Sequence, residues 1–213
     1  MKKAIILFAL VALVAVPAMA REMVRTDAVS GPELTLGRAD AELMYDDGTF
    51  EGFGTSPDWT DITLGVFEAP TGGPWTLTTF RVFMFGLADH EVMMDDTADM
   101  VTPPAAPYGT GVFFNPGTAD FASATWVDVD MTGLGLVYNA GDIIAIGTAF
   151  DGADGIGLDD SCAMAGTCGV YWAQWSGLWG LDSDYGYNDG LRVVLTGPTP
   201  NEEVTLSAVK SLY

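Results

Sequence analysis

Apolar residues along this chain come in short runs of alternating or β-branched character, broken by Gly, Pro, Asn and Asp. The pattern predicts strands over residues 40–45, 62–68, 75–85, 110–114, 124–131, 134–138, 142–149, 169–175 and 191–196. In 124–131 the period of two is plain: Trp126, Val127 and Val129 interleave with Asp128 and Asp130, so one face of that strand meets water. Between the two outermost of these strands no segment carries a helical repeat. About nine strands, separated by turn-forming residues, predict an all-β chain folded as a single antiparallel β-sandwich, jelly-roll-like, over residues 39–197.

The ends follow different rules. Residues 1–20 place Lys2 and Lys3 before an apolar run from Ala4 to Val16, then Pro17 and the small-x-small end Ala18-Met19-Ala20. That layout predicts a secretory signal peptide cleaved after Ala20, because the apolar run is short for a bilayer span. No other stretch is apolar and long enough to cross a membrane as a helix. Residues 21–38 are a lead-in able to add an edge strand. Residues 198–213 form a Pro-containing acidic linker and a short tail in which Leu206, Val209 and Tyr213 recur at helical spacing. The tail is read either as a frayed end or as an address peptide.

Charge narrows the partners. Without residues 1–20, six Lys and Arg remain against twenty-nine Asp and Glu, a balance of −23. Such a surface repels phosphate backbones and anionic lipid, which excludes nucleic acid as a partner. Export to an oxidising compartment fits the cysteines, Cys162 and Cys168, which are predicted to close a local disulfide. One pair without a neighbouring histidine falls two ligands short of a zinc site.

Two constellations carry candidate chemistry. The first is DGADGIGLDD at 151–160, read as a loop. Calcium takes about six to eight oxygens from carboxylates and carbonyls, and glycine lets carbonyls turn inward. Ala153 and Gly155 break the EF-hand spacing, so a calcium site here draws on Asp151, Asp154, Asp159 and Asp160, with Asp46 or Asp47 supplied by another loop. The competing reading is a set of solvated turn aspartates. The second constellation is YWAQWSGLWGLDSDYGY at 171–187. Aromatic faces stack on sugar rings while Asp, Asn and Gln bind hydroxyls, so Trp172, Trp175, Trp179, Tyr185 and Tyr187 are candidate glycan contacts. Strand alternation sends at least one Trp into a core, and the turn residues around Trp179, Tyr185 and Tyr187 favour those three for exposure.

Catalytic signatures are weak. His90, the single histidine, lies beside Glu91 in a Met- and Asp-rich stretch and is expected to be exposed in a long connection. No Gly-x-Ser-x-Gly element accompanies it, and pairs of carboxylates are uninformative in a chain with so many acids.

The segments MYDDGTFEGFG (44–54), FRVFMF (80–85), WVDVDMTGLGLVYNAGDIIAIG (126–147), GIGLDDS (155–161) and YNDGLRVVL (187–195) together resemble a β-sandwich module of bacterial secreted and cell-surface proteins. Such modules open on a YDDGT-type strand and often stand beside peptidase or Ig-like sorting domains. The resemblance implies a secreted or surface accessory role and transfers no catalytic set. Residues 86–109 depart from the pattern. Three readings follow: a non-catalytic binding or adhesion module for glycan or a surface protein, a structural component of the envelope or matrix, and a small secreted hydrolase. The first needs an exposed aromatic patch, the second a free strand edge or apolar face, and the third two facing carboxylates in a cleft.

Overall fold

The computed structural model describes residues 24–31, 40–55, 61–150, 154–162, 168–175 and 177–197. In chain order the strands are β1 (Val24–Val29), β2 (Asp40–Leu43), β3 (Phe50–Thr55), β4 (Asp61–Glu68), β5 (Trp75–Phe85), β6 (His90–Asp95), β7 (Tyr108–Phe114) and β8 (Thr125–Asp130). They continue as β9 (Val137–Tyr138), β10 (Ile143–Phe150), β11 (Gly155–Asp159), β12 (Val170–Trp175), β13 (Leu178–Leu181), β14 (Asn188–Asp189) and β15 (Leu191–Thr196). The larger sheet runs β1-β3-β11-β5-β15-β2, with β14 on β11 and with β8 and β9 on β5. The smaller sheet runs β13-β12-β4-β10-β6-β7. All pairings are antiparallel, and the two sheets enclose one core as a sandwich.

Strand β5 shows how the sequence sets the layers. Its run FRVFMF has no wet face because both faces are covered: Phe80, Val82 and Met84 enter the central core, while Phe83 and Phe85 join a second cluster with Phe50, Phe121 and Trp126. Alternation along the strand sends these two sets to opposite sides of the larger sheet. Arg81 follows the outward set. It donates to Asp128 at 2.6 Å and to Glu42 at 2.7 Å, and its guanidinium lies 4.9 Å from the Trp126 ring centre. Trp126 is therefore buried on the outer side of β8 by two cations, since Arg192, paired with Arg81 across the strands, stacks at 4.3 Å.

A third cluster covers the outer side of the smaller sheet. Val66, Ala145 and Trp172 pack there against Ala98 and Met100, which belong to the connection 96–107 folded back as a strap. Asp95 pins that strap at its root, accepting from the amides of Thr97 at 2.7 Å, Ala98 at 2.8 Å and Ala106 at 2.9 Å. Burial acts to raise the Asp95 carboxyl, and its hydrogen bonds from Thr97, Ala106 and Ala98 outweigh that and hold it below the usual aspartate value.

The structure holds more strands than the nine expected, and the additions explain the corrections. Residues 155–159, expected within a solvated loop, form β11, buried along its whole length in the larger sheet. Ile156 and Leu158 face the core, and Gly157 is required because an added Cβ would lie 2.6 Å from the Phe83 ring. His90, expected to be exposed, is 3% exposed in β6. Its Nδ1 meets the carbonyl of Ala149 at 3.1 Å and its Nε2 lies 3.2 Å from Asp154 Oδ2. The expected strand at 134–138 shortens to β9 because a 3₁₀ turn occupies Thr132–Leu134. The lead-in contributes β1, which pairs with β3 at a sheet edge. The expected signal peptide and the tail 198–213 lie outside the described residues.

Candidate functional site

The aromatic constellation is carried by the hairpin β12–β13 and the single 3₁₀ turn Asp182–Tyr185 that follows it. Gly177 turns the hairpin at φ 80°, a conformation that favours glycine. The register pairs Trp172 with Leu181 and Gln174 with Trp179, so these four residues share the outer face of the smaller sheet. Tyr171 points the other way and is fully buried.

The five aromatic candidates therefore separate. Trp172 is covered by the strap, and its indole nitrogen donates to the carbonyl of Asp99 at 3.0 Å. Trp179 packs at the margin of the same cluster and stays half-buried beside Gln174. Tyr185 is 44% exposed, and Tyr187 is half-buried against the central core. The side chain of Trp175 lies outside the described residues. Among the described residues, Trp179, Gln174, Asp184 and Tyr185 are polar and aromatic groups that the edge hairpin and its turn leave accessible.

The acidic candidates separate as well. Asp154 and Asp159 sit at opposite ends of β11, about 16 Å apart at the usual strand rise, so one ion cannot take both. Asp154 serves His90 and accepts from the amide of Leu87 at 3.2 Å. Asp159 lies at the other end, accepting from the amides of Asp47 at 3.1 Å and Ser161 at 2.7 Å. Asp160 donates its amide to Glu51 at 3.2 Å. Asp151 is outside the described residues. Asp159 thus lies beside the Asp46-Asp47 turn, its carboxylate accepting from the Asp47 amide.

Around Asp159 the structure assembles a box at one end of the sandwich. Cys162 and Cys168 are bridged, which fixes the chain just ahead of Gly169. The Gly169 amide donates to Asn188 at 2.9 Å, and Asn188 donates to the carbonyl of Tyr45 at 2.7 Å. Tyr45 stacks on Phe67 and meets Tyr171 edge-on, with ring centres 5.4 and 5.9 Å apart. Asp46 is held by Arg192 and by the amide of Gly48 at 3.0 Å. Burial pushes the Asp46 carboxyl up, Arg192 and Gly48 pull it down, and the neighbouring Asp159 charge adds to the rise. Thr63 bonds to Asp189 in the same region. Sequence reading missed Asp189, Asn188, Tyr45 and Arg192 as members of this box. For Asn188 and Asp189 the signal was the YNDG segment at 187–190, whose place becomes apparent only when β14 pairs it with β11.

No protein-family model and no curated protein matches the sequence. Solved structures share the fold, among them two of one surface-associated protein. One is described as the cysteine protease and lectin-like domains of Cwp84, a surface layer associated protein of Clostridium difficile, with TM-score 0.58 and 9% identity over 78% of this chain. The other is the clostridial cysteine protease Cwp84 after propeptide cleavage, with TM-score 0.60 and 9% identity over 78% of this chain. The chain corresponds to 37% and 42% of the length of those chains. At this identity the likeness is one of fold.

Proposed function

We propose that this chain is a non-catalytic binding module, exported through its N-terminal signal sequence to the cell surface or its surroundings, that recognises glycan through the outer face of β12–β13. The observation that carries this reading is the cross-strand pairing of Trp179 with Gln174 on an edge hairpin. A half-buried indole offers a flat apolar face held in place by packing, and the amide opposite it supplies a donor and an acceptor for hydroxyls. Tyr185 extends the same segment with an exposed phenol. The shared fold with a surface-associated protein described as having a lectin-like domain supports the same direction.

A structural, self-associating role has a competing observation in β7, an edge strand with Phe113 62% exposed. That edge is blunted. The register slips between Glu91 and Met93, and Glu91 of the neighbouring β6 accepts from the amide of Gly111 at 2.8 Å, so β7 is bulged and one of its amides is capped by a carboxylate. The binding reading is tested by retention on a panel of insoluble bacterial and plant polysaccharides. The account expects the wild-type protein to be retained on at least one, and Trp179→Ala to weaken retention about tenfold or more, as truncating an aromatic anchor does. Failure of every polysaccharide to retain the wild-type protein contradicts it.

A further inference from the structure

We propose that the glycan read by the β12–β13 face is an amine-bearing polysaccharide, whose ammonium groups meet the Trp179 ring and the carboxylates around it. The inference rests on the glycan reading and deepens it to a ligand class. Its first ground is the sign of the surface. Between Arg38 and Lys210 the only Lys or Arg residues in the sequence are Arg81 and Arg192. Both are 1% exposed and engaged inside, Arg81 by Glu42 and Asp128 and Arg192 by Asp46. His90, the other group there able to carry a positive charge, is buried as well. Over residues 39–197 the described surface therefore presents no cation, while Asp47, Glu68, Asp89, Asp120, Asp142 and Asp184 are all exposed. A ligand carrying carboxylate, phosphate or sulfate finds no fixed counter-charge there and is repelled as it approaches. An ammonium ligand is drawn in by the same field.

The second ground is local to the hairpin. Trp179 packs against the cluster that holds Ala98 and Met100 of the strap, and Asp99 stands between those two in the chain. The Asp99 carboxylate accepts from the amides of Val101 and Thr102, each at 2.7 Å, and these bonds hold it below the usual aspartate value. It therefore stays ionised. On the other side, Asp184 is exposed beside Tyr185 in the 3₁₀ turn that packs against β12 and β13. An ammonium group is attracted both by carboxylates and by the face of an indole, whereas a neutral sugar gains from the indole alone. Gln174, opposite Trp179, serves the hydroxyls in either case.

The third ground is the spacing of the charges. Among the described residues no three His, Cys, Asp or Glu side chains gather closely enough to hold a metal ion. Exposed carboxylates that stand apart suit a polymer with a charge on successive sugars better than a single small ion, because each charge meets a different partner along the chain.

The test offers the full chain each polysaccharide backbone of a panel in three forms, neutral, aminated and carboxylated, at a pH where the amines are protonated. An aminated form is expected to hold the protein about tenfold more tightly than its neutral parent, and the carboxylated form to hold it least. Raising the salt should shrink that preference. Trp179→Ala keeps the net charge and should weaken retention on the aminated form about tenfold or more. Asp184→Asn should cut the advantage of the aminated form about two- to fivefold and leave retention on the neutral parent unchanged. Retention by a neutral or carboxylated form equal to that by its aminated partner overturns the inference and leaves the glycan reading standing. Equal retention of Trp179→Ala and the wild type on the aminated form assigns the attraction to net charge alone and also overturns it. So does displacement by hexalysine as effective as by short fragments of the aminated polymer, which makes the partner a basic peptide. Retention by no form at all overturns the glycan reading itself.

Discussion

The indole nitrogen of Trp172 donates to the backbone carbonyl of Asp99 at 3.0 Å, tying the smaller sheet to the strap that crosses it. The bond explains why the segment richest in aromatic residues leaves so little of them accessible. It also makes the strap's anchor testable. Asp95 accepts three backbone amides and the Thr97 hydroxyl, so Asp95→Ala removes the partner of buried donors and should cost about 1–3 kcal/mol. Intrinsic fluorescence should shift to the red as Trp172 gains water. An unchanged emission maximum would show that the strap holds without Asp95.

Acidity should act on two aspartates in opposite senses. Asp95 has its folded value held below 3.8, so its contribution is present above 3.8 and is lost as pH falls through the lower folded value. Asp46 has its folded value raised above 3.8, so its contribution is fully present below 3.8 and is lost as pH rises through the folded value. Tm measured from pH 3 to pH 7 should therefore decline less with rising pH in Asp46→Asn than in the wild type. Parallel profiles would refute the assignment.

Removing the disulfide by Cys162→Ser with Cys168→Ser should lower stability by about 2 kcal/mol, the entropy of closing a seven-residue loop. The fold should survive because the bridge pins one loop while the two sheets share a separate core. Loss of native circular dichroism at room temperature in the double variant would contradict this. Mass spectrometry without reductant should find no free thiol.

The strands legible in the sequence were those with β-branched or alternating residues, such as ITLGVFE in β4 and WTLTTFRVFMF in β5. Those that escaped notice were of two kinds. FEGFGT in β3 and GIGLD in β11 put glycine at buried positions, and in β11 the Phe83 and Phe85 rings press onto those glycines, so the apolar alternation is lost. HEVMMD in β6 buries a histidine by giving it the Ala149 carbonyl and Asp154 as partners, and no local rule reveals those partners. The disulfide was legible from spacing and compartment. The box at the Asp159 end was only half legible: Asp159 and the Asp46-Asp47 turn were candidates for one calcium site, whereas Asn188 and Asp189 join that end only through the β11–β14 pairing.

Arg192 offers a further check on the larger sheet. It bonds Asp46 at one end and lies over the Trp126 ring at 4.3 Å, both in the interior. Arg192→Ala should cost about 3–5 kcal/mol, because it strands a buried carboxylate. Arg192→Ala with Asp46→Asn should recover part of that loss. A double variant no more stable than Arg192→Ala alone would place the cost in lost packing on Trp126.

The surface-binding account is tested most directly by titrating the protein with soluble fragments of a retained polysaccharide while following tryptophan emission and the length of the fragments. The prediction is a saturable emission change, lost in Trp179→Ala and kept in Trp172→Phe, with fragments recovered at their original length. Equal binding by Trp179→Ala and the wild type, or shortening of the fragments by the purified protein, would contradict a non-catalytic module that reads glycan through the β12–β13 hairpin.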